Sequence, residues 1–221
     1  VTLAGTNSAG GLIGWNYANA SGVNNSVTNS YATGVVSGLT NVGGLIGQNS
    51  AANGGNTNIE NSYAAGNVSS SSGVLGGLIG LNKADSASAA SSSNIVNSYA
   101  SGTVNATTGG SVGGLVGFNT SNTSANSAFI SNSYATGSVS SAGDSVGGLV
   151  GNNFGNGDSR IVQSYATGSV QSTSATGTNV GGLVGLNTPS TTNSNVSISQ
   201  SYATGAVTAA KTAGGLVGVI G

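Results

Sequence analysis

Four carboxylates, Glu60, Asp85, Asp144 and Asp158, are the only acids in this sequence. Paired-carboxylate chemistry, such as glycoside hydrolysis or polysaccharide lysis, would have to draw on two of them. They lie 25, 59 and 14 positions apart. Asp144 and Asp158 flank one "GGLVGNN" and could approach each other across loops; solvated loop charges are the plainer reading. The chain has no His, Cys or Met, which excludes imidazole and thiolate metal ligands and any disulfide framework. The Gly-rich "GGSVGGLVG" at 109–117 lacks the Lys-Ser/Thr that completes a phosphate loop. The expectation is therefore no enzyme, no metal and no cofactor.

Other residues recur at spacings that suggest surface rather than catalytic chemistry. Tyr31, Tyr63, Tyr99, Tyr134, Tyr165 and Tyr202 each follow Ser and precede Ala. They form either a structural ladder or a row of platforms for stacking sugars. In the same motif, Thr33, Thr136, Thr167 and Thr204 would make a flat threonine row, but Ala65 and Ser101 interrupt it. Asn-x-Ser/Thr glycosylation triplets occur at Asn19, Asn24, Asn67, Asn105, Asn119, Asn122 and Asn195. In a chain so rich in Asn and Ser, several of these are expected by chance.

The composition narrows the setting. Only 3% of the 221 residues are charged and the net charge is −1, against about 25% charged in ordinary domains. Nothing here attracts nucleic acid or an anionic membrane. The apolar share of 37% argues against disorder, and the 40 glycines lack the strict collagen period. No apolar run approaches the roughly 18–20 residues of a membrane span, so no membrane insertion is expected. No charged segment leads into an apolar one at the start, so any secretion signal is expected to lie outside these residues.

These residues must be positioned by a repeat. The motif "GGLIGWN" at 10–16 returns at 43, 76, 113, 147, 181 and 214, in steps of 33, 33, 37, 34, 34 and 33 residues. The Tyr motif alternates with it. Val27, Ile59, Ile95, Ile130, Ile161 and Ile198 stand four residues before the tyrosines, and Val36, Val68, Val104, Val139, Val170 and Val207 five after. β-Branched residues and Tyr at even spacing predict a strand. Gly34, Gly66, Gly102, Gly137, Gly168 and Gly205 predict a corner that needs either positive φ or close backbone packing. "VGGLVG" predicts a further short strand, and no window carries helical periodicity. Length varies only between the motifs, as in "KADSASAASSSN", where surface loops tolerate it.

Together these features predict an all-β fold: a parallel β-solenoid of about six to seven stacked repeats of 33–37 residues, spanning 1–221 as a single repetitive segment of a longer chain. One repeat cannot bury enough apolar surface alone, so like must stack on like, Ile on Ile, Tyr on Tyr and Asn on Asn. One coil per repeat is favoured, with two thinner coils as the alternative. Ile130 and Tyr134 share a parity, which favours both pointing inward or between layers.

"VGGLVGxN" together with "NSYATGSVS" resembles the GLUG repeat, found in large secreted bacterial adhesins of the filamentous-haemagglutinin type and in some surface-anchored IgA-cleaving metallopeptidases. The resemblance covers nearly the whole chain; the last copy departs, with Val219 and Ile220 where the others have x-Asn. It implies a β-helical shaft of a protein on the bacterial cell surface, attaching cell to surface or cell to cell. The peptidase chemistry does not carry over, because its zinc-binding helix has no counterpart in a chain without His. A carbohydrate-binding β-helix module and the non-catalytic stalk of a secreted peptidase are the alternatives. The expected partners are a polysaccharide or another cell's surface. End-to-end self-association is also expected, since uncapped coils leave strand edges unpaired.

Overall fold

The computed structural model describes residues 1–3, 7–175 and 179–221. Each repeat closes one coil, built of five short strands. In the coil centred on Tyr134 these are a glycine strand (Ser111–Gly113), a long strand (Val116–Ser121), an Ile strand (Ser127–Ser131), a Tyr strand (Tyr134–Ala135) and a Val strand (Val139–Ser141). Each strand pairs in parallel with its counterparts in the coils before and after. The result is two sheets of seven strands and three of six, with no helix among the described residues. Motif stacks on motif in exact register: Ile95, Ile130 and Ile161 are successive partners, as are Tyr99, Tyr134 and Tyr165, and Val104, Val139 and Val170. The one-coil reading therefore holds.

The corner between the Ile and Tyr strands is turned by an unusual backbone. Asn29, Asn61, Asn97, Asn132, Gln163 and Gln200, each two residues before a Tyr, have φ of 48–50°. Few side chains enter this left-handed region, and Asn does so most readily. The corner residue is exposed and the Ser after it is buried, except in the two end coils, where Ser30 and Ser201 are half-buried. It inserts an extra outward position and resets the alternation. This corrects the expected orientation of the tyrosines. Ile130 points into the core, whereas Tyr134, of the same sequence parity, points outward beside the buried Ala135.

Of the two readings of the Gly after "YAT", close packing is the one that holds: it is not in positive φ, which among the described glycines only Gly22, Gly54, Gly73 and Gly109 adopt. A Cβ on Gly102 would fall against the carbonyl oxygen of Gly66, and the same clash repeats for Gly66, Gly137, Gly168 and Gly205 on the coil before each. One further expectation is corrected: "VGGLVG" is not one strand. The glycine strand ends at Gly113, the chain bends sharply through Gly114 and Leu115, and the long strand starts at Val116. A Cβ on Gly114 would strike the carbonyl of Gly148 in the next coil, so this bend too needs bare backbone.

The inward side chains form two apolar columns along the axis. One stacks the Leu of the bend, the first residue of the long strand, the Ile of the Ile strand and the Ala of the Tyr strand, for example Leu115, Val116, Ile130 and Ala135. The other stacks the Val strand on the glycine strand, for example Val139 on Val112 and Val146. Each fully buried Ile or Leu contributes about 1.5–3 kcal/mol.

Candidate functional site: side-chain ladders and an outward aromatic face

The Asn that ends each "GGLxGxN" lies inside the coil, in a shell that offers it three hydrogen-bonding positions. Asn16 donates from Nδ2 to Oδ1 of Asn49 (2.7 Å), Asn49 to Asn82 (2.8 Å), Asn82 to Asn119 (2.8 Å), Asn119 to Asn153 (2.9 Å) and Asn153 to Asn187 (2.8 Å). The second Nδ2 proton crosses to the Ile strand, reaching Thr57 Oγ1, then the carbonyls of Ser93, Ala128 and Ser159. Each interior Asn thus satisfies both amide protons and its oxygen, which is what allows a polar group to be buried without penalty. The amide ladder ends at Asn187, whose partner in the next coil is Ile220.

The Ser before each Tyr forms a second ladder. Its hydroxyl donates to the carbonyl two residues earlier, as Ser133 does to Ser131 at 2.7 Å, and accepts from the backbone N–H of the preceding coil's Ser, as from Ser98 at 3.1 Å. The same pair of bonds recurs from Ser62 to Ser164. It supplies the backbone bond that the left-handed corner interrupts.

The six tyrosines stack face to face outside the coil, with ring centroids 4.8–5.1 Å apart and planes within 6° of parallel. Neighbouring rings cover the faces of the inner four, leaving their edges and hydroxyls to solvent, so the row offers no platform for sugar stacking between its ends. Burial, and then the neighbouring phenols Tyr165 and Tyr99, push the Tyr134 hydroxyl above the ordinary phenol value.

The carboxylates are scattered. Glu60 ends one Ile strand and Asp158 begins another, three coils on. Asp85 follows a long strand and Asp144 precedes a glycine strand. Arg160 donates to Asp158 at 3.1 Å while its guanidinium lies 4.3 Å from the Phe129 ring centroid. Lys83 pairs with Asp85, and Asn122 donates to the same carboxylate at 2.9 Å; these two donors hold Asp85 below the usual carboxylate range, against a smaller opposing effect of burial. No group of three or more acids occurs among the described residues. Of the glycosylation triplets, Asn119 is sealed in the amide ladder, whereas Asn19, Asn24, Asn67, Asn105 and Asn195 are exposed. The threonine row is exposed, with Ala65 and Ser101 interrupting it.

One outward surface carries a different set of residues. On the long-strand sheet the x position of "GGLxGxN" brings Trp15, Gln48, Leu81, Phe118, Asn152 and Leu186 into register, and the position two residues on brings Tyr17, Ser50, Lys83, Thr120, Phe154 and Thr188. Trp15 and Tyr17 stack at 4.7 Å, and both are exposed.

The stacking of Asn on Asn follows the sequence expectation; the Ser ladder, the cross-strand bonds of the Asn amides and the outward Trp15 escape sequence reasoning. The recurring Asn and Ser are the signals; which backbone groups they meet depends on the coils above and below.

Fold and ladders together define a parallel β-solenoid repeat protein. The family model of the GLUG motif matches residues 142–171, one repeat unit from just before Asp144 to the start of a Val strand, so this unit of the chain is similar to the GLUG motif. The curated proteins and the solved structures contain no match to the chain.

Proposed function

We propose that this chain is part of the shaft of a secreted bacterial surface adhesin or matrix filament, holding a binding element away from the cell and so serving attachment to surfaces or other cells. The observation that carries this reading is the unbroken stacking: amide, hydroxyl and phenol ladders run from coil to coil with one coil per repeat. Six steps of about 4.8 Å give a rod segment of roughly 30 Å. Adding repeats lengthens such a rod without changing its cross-section. The near absence of charge and the Asn/Ser-rich loops suit an extracellular polymer. In this reading the segment has no hydrolase, lyase or metal-dependent activity, because its four acids occupy separate places and two are engaged by Arg160 and Lys83.

The test is in-frame deletion and duplication of whole coils in the full-length protein on the producing cell. Attachment should fall as coils are removed and recover as they are restored, while the amount on the surface stays constant. Attachment independent of coil number would overturn the shaft role. A zinc-binding His motif in the flanking sequence would reassign the rod as the stalk of a peptidase.

A further inference from the structure

The stacking that explains nearly every repeated residue leaves the outward face of the long-strand sheet unexplained. Much of the remaining exterior is Ser, Thr, Asn and the covered tyrosines; this face holds Trp15, Tyr17, Phe118 and Phe154, in a chain with one Trp and three Phe, the third of which, Phe129, lies under Arg160 on the Ile-strand sheet. No ladder needs them. Trp15 and Tyr17 lie nearly parallel, 20° apart, and are 56% and 39% exposed, so they present an apolar surface to solvent rather than to the core.

We propose that this face binds a neutral polysaccharide lying along the rod axis, with Trp15 and Tyr17 as its stacking platform. Three features select a sugar. First, the aromatic pair is edged by amides and hydroxyls already held in place. Gln48 accepts from Asn41 Nδ2 at 3.1 Å and from the Ser8 hydroxyl at 3.4 Å, and donates to Ser50 at 2.9 Å. Ser8, Asn41 and Gln48 line a groove of about 410 Å³ on one side of Trp15. A smaller hollow of about 100 Å³ on the other side leads to the Lys83–Asp85 pair. An apolar ring face beside fixed polar groups matches a pyranose, whose C–H face stacks and whose rim hydroxyls donate and accept.

Second, polar stations break the apolar row. Gln48 parts Trp15 from the adjoining Leu81 and Phe118, and Asn152 parts Phe118 from Leu186. A protein partner would favour one contiguous apolar core with a polar rim; a glycan meets stacking groups with hydrogen-bonding groups set between them. Third, the cation in this face's register rows, Lys83, is neutralised by Asp85, so a polyanion gains nothing here. The coil step, about 4.8 Å between strands, is close to the length of one sugar in an extended chain. Successive coils therefore meet successive sugars, and Phe118 and Phe154 extend the track. This inference stands apart from the shaft reading; deleting coils tests one and titrating sugar tests the other.

Because Trp15 is the only tryptophan, its emission reports on the site directly. The 221-residue chain is titrated with cellohexaose, chitohexaose, pullulan and yeast mannan, with sedimentation run in parallel. A saturable change in Trp15 emission with at least one of them is expected. By calorimetry, Trp15→Ala and Tyr17→Ala should each weaken that binding by about tenfold or more, as loss of a central aromatic anchor does, with circular dichroism unchanged. Phe118→Ala should weaken binding of the long polymer more than that of the hexaose. Tyr134→Phe, which keeps the covered ring, should bind as the parent chain does. The proposal is overturned if no probe gives a saturable change, if Trp15→Ala leaves the affinity intact, or if Trp15 emission responds only to protein concentration, which would make the face a contact between copies of the chain.

Discussion

Replacing Asn119 by Ala cuts the amide ladder at its centre. Three hydrogen bonds go: the one received from Asn82 at 2.8 Å, the one given to Asn153 at 2.9 Å and the one given to the carbonyl of Ala128 at 3.0 Å. Asn119 and Asn153 are fully buried, so water cannot replace the lost partners. At least two groups, an Nδ2 proton of Asn82 and Oδ1 of Asn153, are stranded, at about 1–3 kcal/mol each. The expected loss is therefore roughly 2–6 kcal/mol, a large part of the roughly 5–15 kcal/mol that holds a typical domain together. Asn105, exposed on a Val strand, is the control; its Ala variant should stay within about 0.5 kcal/mol of the parent. Urea unfolding measures the difference, and hydrogen exchange locates it, with fastest opening expected at 82–96 and 116–131. Asn119→Asp adds a check on sign. Its carboxylate would face two acceptors, so its folded pKa should rise above the unfolded value of about 3.9. Stability should then fall as pH climbs from there through the folded pKa, and return on acidification. Equal stability of the Asn119→Ala and Asn105→Ala variants would refute the reasoning, because it would mean that the ladder bonds contribute nothing.

Other outcomes follow from the same geometry. Gly102→Ala, whose methyl would strike the Gly66 carbonyl, should destabilise by several kcal/mol, whereas Gly34→Ala, with open space and no positive φ, should be neutral or gain up to about 1 kcal/mol; thermal melts decide. Tyr134→Ala loses two stacking partners and Tyr31→Ala one, so the first should cost more by about 0.5–1.5 kcal/mol, read by urea unfolding. The Tyr134 phenol should titrate above 10.0, so its contribution to stability is complete below the unfolded phenol pKa and is lost as pH rises through the folded one; phenolate absorbance in the parent and Tyr134→Phe shows this. The 221-residue chain should associate end to end, since Gly10 and Gly214 lie on terminal strands with one neighbour each and the net charge is only −1; a sedimentation coefficient independent of concentration would count against it.

The sequence displays the fold because a solenoid writes its register as repetition. Ile, Tyr and Val at −4, 0 and +5 name the stacked rows, and the 33–37-residue period names the coil. Which way Tyr134 points was not legible from parity, because a left-handed Asn132 uses one residue without completing a strand step. The bend at Gly114 was hidden for a related reason: glycine pairs permit close packing in a strand and a sharp turn alike, and the choice is made by the Gly148 carbonyl of another coil. Asn on Asn was legible, but not the second amide proton's reach to the Ile strand, which depends on how the coil folds back. Trp15 occupies the variable position of its motif, so periodicity could not mark it.

The central claim is that each repeat is one coil with like residues directly superposed. The chain has no cysteine, so Thr33→Cys and Thr204→Cys, both exposed and five repeats apart, can carry a pair of spin labels without interference. Pulsed electron paramagnetic resonance then measures the axial length of five repeats. Five steps of about 4.8 Å predict a separation of roughly 24 Å, broadened by the label arms. A distribution centred near roughly 48 Å would mean two coils per repeat, and one with no defined maximum would mean no common register; either would contradict the stacking on which the account rests.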